Sequence, residues 1–111
     1  MVPMEDYLNT AYIKVCSADQ INNRETLVVK IGRDEVIIAN LEGEYYAVSD
    51  YCPHAGWLLH DERLEGEVLP CSLHGSTFSI KTGNVVNGPS VVGLKSYSVI
   101  VKKGEIFIQF P

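Results

Sequence analysis

The chain has 111 residues, 46% of them hydrophobic and 21% charged, with a net charge of −5. That is enough for one domain with a single modest core, and the acidic balance argues against nucleic acid, whose phosphates call for a basic face. No stretch approaches the ~18 apolar residues of a membrane-spanning helix, and the N-terminal MVPMEDYLNTAY lacks the basic start and apolar run of a secretory signal. A cytoplasmic protein is therefore expected, where stable disulfides are uncommon. An odd count of three cysteines also weakens a disulfide framework.

In chain order, short β-branched and aromatic runs stand at 12–16, 26–31, 35–41, 44–49, 67–71, 76–80, 97–103 and 105–110. Between them lie turns with glycine at Ile31-Gly32-Arg33-Asp34, Glu42-Gly43-Glu44, Glu65-Gly66-Glu67, Lys81-Thr82-Gly83-Asn84 and Lys103-Gly104-Glu105. Glycine supplies the positive φ of tight hairpins, so these runs read as antiparallel strands. Tyr97, Val99 and Val101 fall on one face of their run, and Ile106, Ile108 and Phe110 on one face of theirs, the period of half-buried strands. Only residues 17–21 suggest a helical turn. The pattern predicts an all-β fold, a sandwich or barrel of antiparallel sheets, in one domain spanning residues 1–111.

Residues 52–76, CPHAGWLLHDERLEGEVLPCSLHGS, interrupt this pattern. They hold two Cys-His pairs, Cys52-Pro53-His54 and Cys71-Ser72-Leu73-His74, with 16 residues between His54 and Cys71. Each pair reads as a loop after a strand. A hairpin turn at Leu64 to Glu67 would bring the two loops side by side. Thiolate and imidazole donors select zinc, copper or an iron–sulfur cluster over calcium and magnesium, which prefer oxygen. A structural zinc, a copper centre and a two-iron cluster all use such donors, and the bland alternative is a pair of core thiols or a disulfide beside surface histidines. Mixed pairing has a specific use in the two-iron case, where the cysteines hold one iron and the histidines the other.

The motif strongly resembles that of the Rieske iron–sulfur proteins, Cys-x-His followed after roughly 15 to 17 residues by Cys-x-x-His. Gly56, Gly75-Ser76 and Phe78 agree with that family, and Asn87-Gly88-Pro89 resembles its proline loop. The resemblance implies one [2Fe–2S] cluster per chain on a domain of stacked antiparallel sheets with a cluster-binding subdomain, its loops at about residues 50–90. It assigns Cys52 and Cys71 to the inner iron, and His54 and His74 to the outer iron near the surface. Neutral imidazoles make the cluster easier to reduce, and the family's potentials run from roughly −150 to +300 mV. High-potential members carry an extra disulfide between the loops and a tyrosine hydroxyl near a cysteine sulfur. Trp57, Leu73 and Phe78 stand at those positions here, while Ser76 retains a hydroxyl. A potential below about 0 mV is expected, with reduction coupled to protonation of His54 and His74 at alkaline pH.

The resemblance further implies a one-electron carrier, similar to the ferredoxins of aromatic-ring oxygenase systems, with a reductase and a terminal oxygenase as partners. No membrane or nucleic acid is expected to take part. The chain shows neither a mononuclear iron site nor a dinucleotide fingerprint, so it is expected not to be an enzyme. A small subunit of a larger reductase, similar to that of nitrite reductases, is the alternative. Pro53, Trp57, Leu58 and Pro89 are candidates for an apolar docking rim. Cys16 reads as a buried thiol and His60 as a surface residue. Asp61, Glu62, Glu65 and Glu67 read as a solvated acidic turn.

Overall fold

The computed structural model describes residues 12–50, 64–71, 76–88 and 92–109, with Cys71 described in its main chain only. The strands within these residues are β1 (Tyr12–Ser17), β2 (Thr26–Ile31), β3 (Asp34–Leu41), β4 (Glu44–Ser49), β5 (Val68–Cys71), β6 (Ser76–Ser79), β7 (Val85–Asn87), β8 (Ser96–Tyr97), β9 (Val99–Lys102) and β10 (Glu105–Gln109). One 3-10 turn, Ala18–Gln20, follows β1 where the short helical turn was expected. The strands form three sheets, β1-β10-β9, β2-β3-β4-β8 and β5-β6-β7. Every pairing is antiparallel.

β3 explains how the sheets stack. All six of its residues from Val36 to Leu41 are buried, so both faces of the central sheet are covered. Ile37, Ala39 and Leu41 face a core shared with Val48, Leu69, Phe78, Ile80 and Leu94. Val36 and Ile38 face a second core with Cys16, Ile21, Ala47, Ile106 and Ile108. The four-stranded sheet is thus the middle of three layers, with β5-β6-β7 on one side and β1-β10-β9 on the other. Asn40 is the polar member of β3's buried run. Its Nδ2 donates to the Ile21 carbonyl at 2.8 Å and its Oδ1 accepts from the Gly43 amide at 2.9 Å, which satisfies the side chain at both ends.

The predicted hairpins form where the glycines stand. Glu42-Gly43 and Lys103-Gly104 have positive φ at both turn positions, 55° and 86°, then 53° and 76°. That twist matches the right-handed twist of the flanking strands. One expectation needs correction. The run at 97–103 is not one strand: Tyr97 pairs with Ala47 in the central sheet, whereas Val99 pairs with Ile108 in the outer one. The chain changes sheets at Ser98, as strands at the corners of stacked sheets do. Val101 is accordingly not buried; it is 46% exposed near the end of an edge strand. β7, at Val85–Asn87, stands outside the expected runs, being too short to show any period.

Candidate metal centre

The β5-β6 hairpin carries the segment of the second Cys-His pair, one half of the candidate site. Glu65 and Val68 close the turn through mutual main-chain hydrogen bonds of 2.9 and 3.1 Å. The two strands then run in register from Val68↔Ser79 through Leu69↔Phe78 to Cys71↔Ser76. Leu69 and Phe78 are fully buried and anchor the pair in the core. Two residues beyond them, the Cys71 main chain lies opposite Ser76, and residues 72–75, which include His74, join these partners. Ser76 is itself fully buried.

The first Cys-His pair, the other half of the candidate site, follows β4 in the sequence. Val48 belongs to the same buried cluster as Leu69 and Phe78. After it, the Ser49 amide donates to the Lys95 carbonyl at 2.8 Å and the Asp50 amide to the Glu35 carbonyl at 2.9 Å. Cys52 follows two residues later in the sequence. Both cysteine-bearing segments therefore leave one shared core. Cys52, His54, His74 and the Cys71 side chain lie outside the described residues. So do Pro53, Gly56, Trp57, Leu58, His60, Asp61, Glu62, Leu73, Gly75 and Pro89.

Around this platform the described side chains have plain physical roles. Phe78 fills the core and has no hydroxyl to offer. Cys16 is buried in the opposite core, so it is no part of the site, as expected. Burial pushes its thiol above the usual 9.0 by disfavouring the thiolate. Glu65 and Glu67 are exposed, and Glu67 pairs with Lys81 at 3.2 Å, which suits the solvated-turn reading. That carboxylate holds the Lys81 ammonium above its ordinary range. Lys81 in turn lies 5.9 Å from the centre of the Tyr46 ring, whose hydroxyl donates to Glu44 at 2.7 Å.

Two features were missed from the sequence. Asp50 is only 1% exposed although an acidic residue at the end of a strand ordinarily signals solvent. The strap Gly93-Leu94-Lys95 also touches both halves of the platform, and it carries no motif. Neither has a local signal, because both depend on neighbours distant in sequence.

The donor set fits a two-iron cluster by its chemistry: two thiolates and two imidazoles on two segments that spring from one core. Known proteins agree. The family model of the Rieske [2Fe-2S] domain matches residues 11–98. The biphenyl dioxygenase ferredoxin subunit of Pseudomonas sp. (strain KKS102) is 34% identical over 100 residues, covering 89% of this chain and 92% of that protein. A solved complex of reduced oxygenase and oxidized ferredoxin in carbazole 1,9a-dioxygenase contains a chain similar at a TM-score of 0.82 and 29% identity, over 89% of this chain and 93% of that one. The terminal oxygenase of carbazole 1,9a-dioxygenase from Novosphingobium sp. KA1 is similar at a TM-score of 0.80 and 25% identity, over 87% of this chain but 29% of its own. With the cysteine and histidine spacing, the stacked antiparallel sheets and the family model in agreement, the chain belongs to the Rieske [2Fe–2S] domain family.

Proposed function

We propose that this protein is the ferredoxin component of an oxygenase system, a one-electron carrier rather than an enzyme. The observation that carries the reading is the likeness to a dioxygenase ferredoxin subunit over nearly the whole of both chains. Cys52 and Cys71 would hold one iron of a single [2Fe–2S] cluster, and His54 and His74 the other. When bound, the cluster supplies reversible one-electron exchange. The chain's own contribution is to fix the two ligand segments on a shared core and to exclude hydroxyl donors at Phe78, leaving Ser76 beside the Cys71 position. Fewer donors to the cluster stabilise its reduced, more negative form less, which supports a midpoint below about 0 mV. The partners are a reductase as donor and a terminal oxygenase as acceptor. The protein works in the cytoplasm as one domain over residues 1–111, and among the described residues no helix is long and apolar enough to cross a membrane.

A redox titration followed by electron paramagnetic resonance tests the ligand assignment. A two-iron signal of low average g value is expected, and its absence from reconstituted protein refutes it. Rapid reoxidation of the reduced chain by a Rieske-type terminal oxygenase tests the carrier role. Copurification with a large sirohaem enzyme, without such reoxidation, refutes that role.

A further inference from the structure

The two ligand segments are carried by different layers, one following β4 of the central sheet and the other on the β5-β6 hairpin. Something must set the distance between them. Among the described residues, one main-chain hydrogen bond joins residues 64–88 to the rest of the chain: the Leu94 amide donates to the Gly83 carbonyl at 2.7 Å. The next residue, Lys95, accepts from the Ser49 amide at 2.8 Å, three residues before Cys52. Leu94 also places its side chain, 6% exposed, in the core between the layers. Two consecutive residues thus join the layers that carry the two ligand segments through the backbone, Lys95 at Ser49, three residues before Cys52, and Leu94 at Gly83, beyond the end of β6 remote from residues 72–75.

The contact needs glycine on both sides. A Cβ on Gly83 would overlap the Leu94 carbonyl oxygen, and one on Gly93 would lie 2.5 Å from the Gly83 carbonyl oxygen. Gly83 is also held from below, its amide donating to the Ser79 carbonyl at 2.7 Å at the end of β6. Gly93 lies outside the left-handed region, so space is what it supplies. The obstructing atoms are backbone and cannot swing aside.

We propose that Gly83 and Gly93 are positioning residues for the cluster: their backbone contact sets the separation of the two ligand segments. The proposal rests on Cys52, His54, Cys71 and His74 being the ligands. Gly93→Ala should push Leu94 and Lys95 away from Gly83 and so shift one ligand segment against the other. Gly104→Ala is the control. It strains a residue with φ of +76° that has nothing within 4 Å of its would-be Cβ, in the turn of the far sheet.

Both variants should melt below the wild type. In Gly93→Ala the paramagnetic signal should shift or broaden, and iron loss to a chelator should quicken about tenfold, the scale of an overpacked core site. In Gly104→Ala both should match the wild type. Equal behaviour of the two variants in these readouts overturns the proposal while leaving the ligand assignment intact. A wild-type chain without the cluster signal overturns the ligand assignment and the proposal with it. Should Gly93→Ala not fold, hydrogen exchange of the wild-type holoprotein decides. The amides of Leu94 and Ser49 should be protected together, and exchange as free as in an unstructured peptide overturns the strap.

Discussion

Leu69→Ala is the substitution that most directly probes how the fold supports the centre. Leu69 is fully buried opposite Phe78, two residues before Cys71, and belongs to the core on one side of the central sheet. Removing three carbons there costs about 3 kcal/mol, counting lost transfer energy and the cavity left behind. With an unfolding entropy of about 2.1 cal/mol/K per residue, a chain of 111 residues should lose about 13 °C of melting temperature. Ile108→Ala is the matched comparison, since Ile108 is equally buried but lies in the opposite core. Thermal melts by circular dichroism should show similar losses. Iron release to a chelator, followed by visible absorbance well below both melting temperatures, should not. Local opening of the β5-β6 hairpin rises by up to roughly a hundredfold in Leu69→Ala, by the factor of ten per 1.4 kcal/mol, whereas Ile108→Ala leaves that hairpin's packing intact. Equal release rates would refute the idea that the two cores act separately on the site.

Other outcomes follow from single residues. Phe78→Tyr places a hydroxyl at the one family position where the chain lacks it. A new hydrogen bond favouring the reduced cluster by about 1 kcal/mol would raise the midpoint by on the order of 40 mV, and a voltammetric midpoint that stays put or falls contradicts this. Tyr46 and Lys81 titrate above their ordinary 10.0 and 10.5, raised first by hydrogen bonds to Glu44 and Glu67. Raised folded values mean that their contribution is complete below about pH 10 and fades as pH climbs through them. Tyr46→Phe should therefore flatten the fall of melting temperature above pH 10, and superimposable profiles for variant and wild type rule this out. Cys16, buried and with its thiol shifted upward by desolvation, should resist a thiol reagent at pH 8 until the chain unfolds. Reaction at the rate of a free thiol in the native protein would disprove that burial.

What the sequence reveals divides along physical lines. Hairpins were legible because each turn needs its glycine locally, so β2-β3, β3-β4 and β9-β10 stand within a residue or two of their runs. The family was legible because metal chemistry restricts residue type and spacing, and the Rieske [2Fe-2S] family model matches residues 11–98. The fate of residues 97–103 was not, since a change of sheet at Ser98 depends on where Ala47 and Ile108 lie. Asp50 carries no signal of its burial, which depends on neighbours distant in sequence. Gly93 stands in no motif, and its close approach to Gly83 depends on how the chain folds back.

The central sheet's two separate cores have an evolutionary consequence. If the two cores act separately, mutations on the β1-β10-β9 side should change stability without disturbing the packing beneath Leu69 and Phe78, and that layer is then free to drift or to be recruited. A redox unit built this way can be carried into a larger chain by new contacts on its far side, with its ligand platform inherited unchanged. The carbazole terminal oxygenase, in which a similar fold occupies under a third of the chain, has the form that such recruitment would leave.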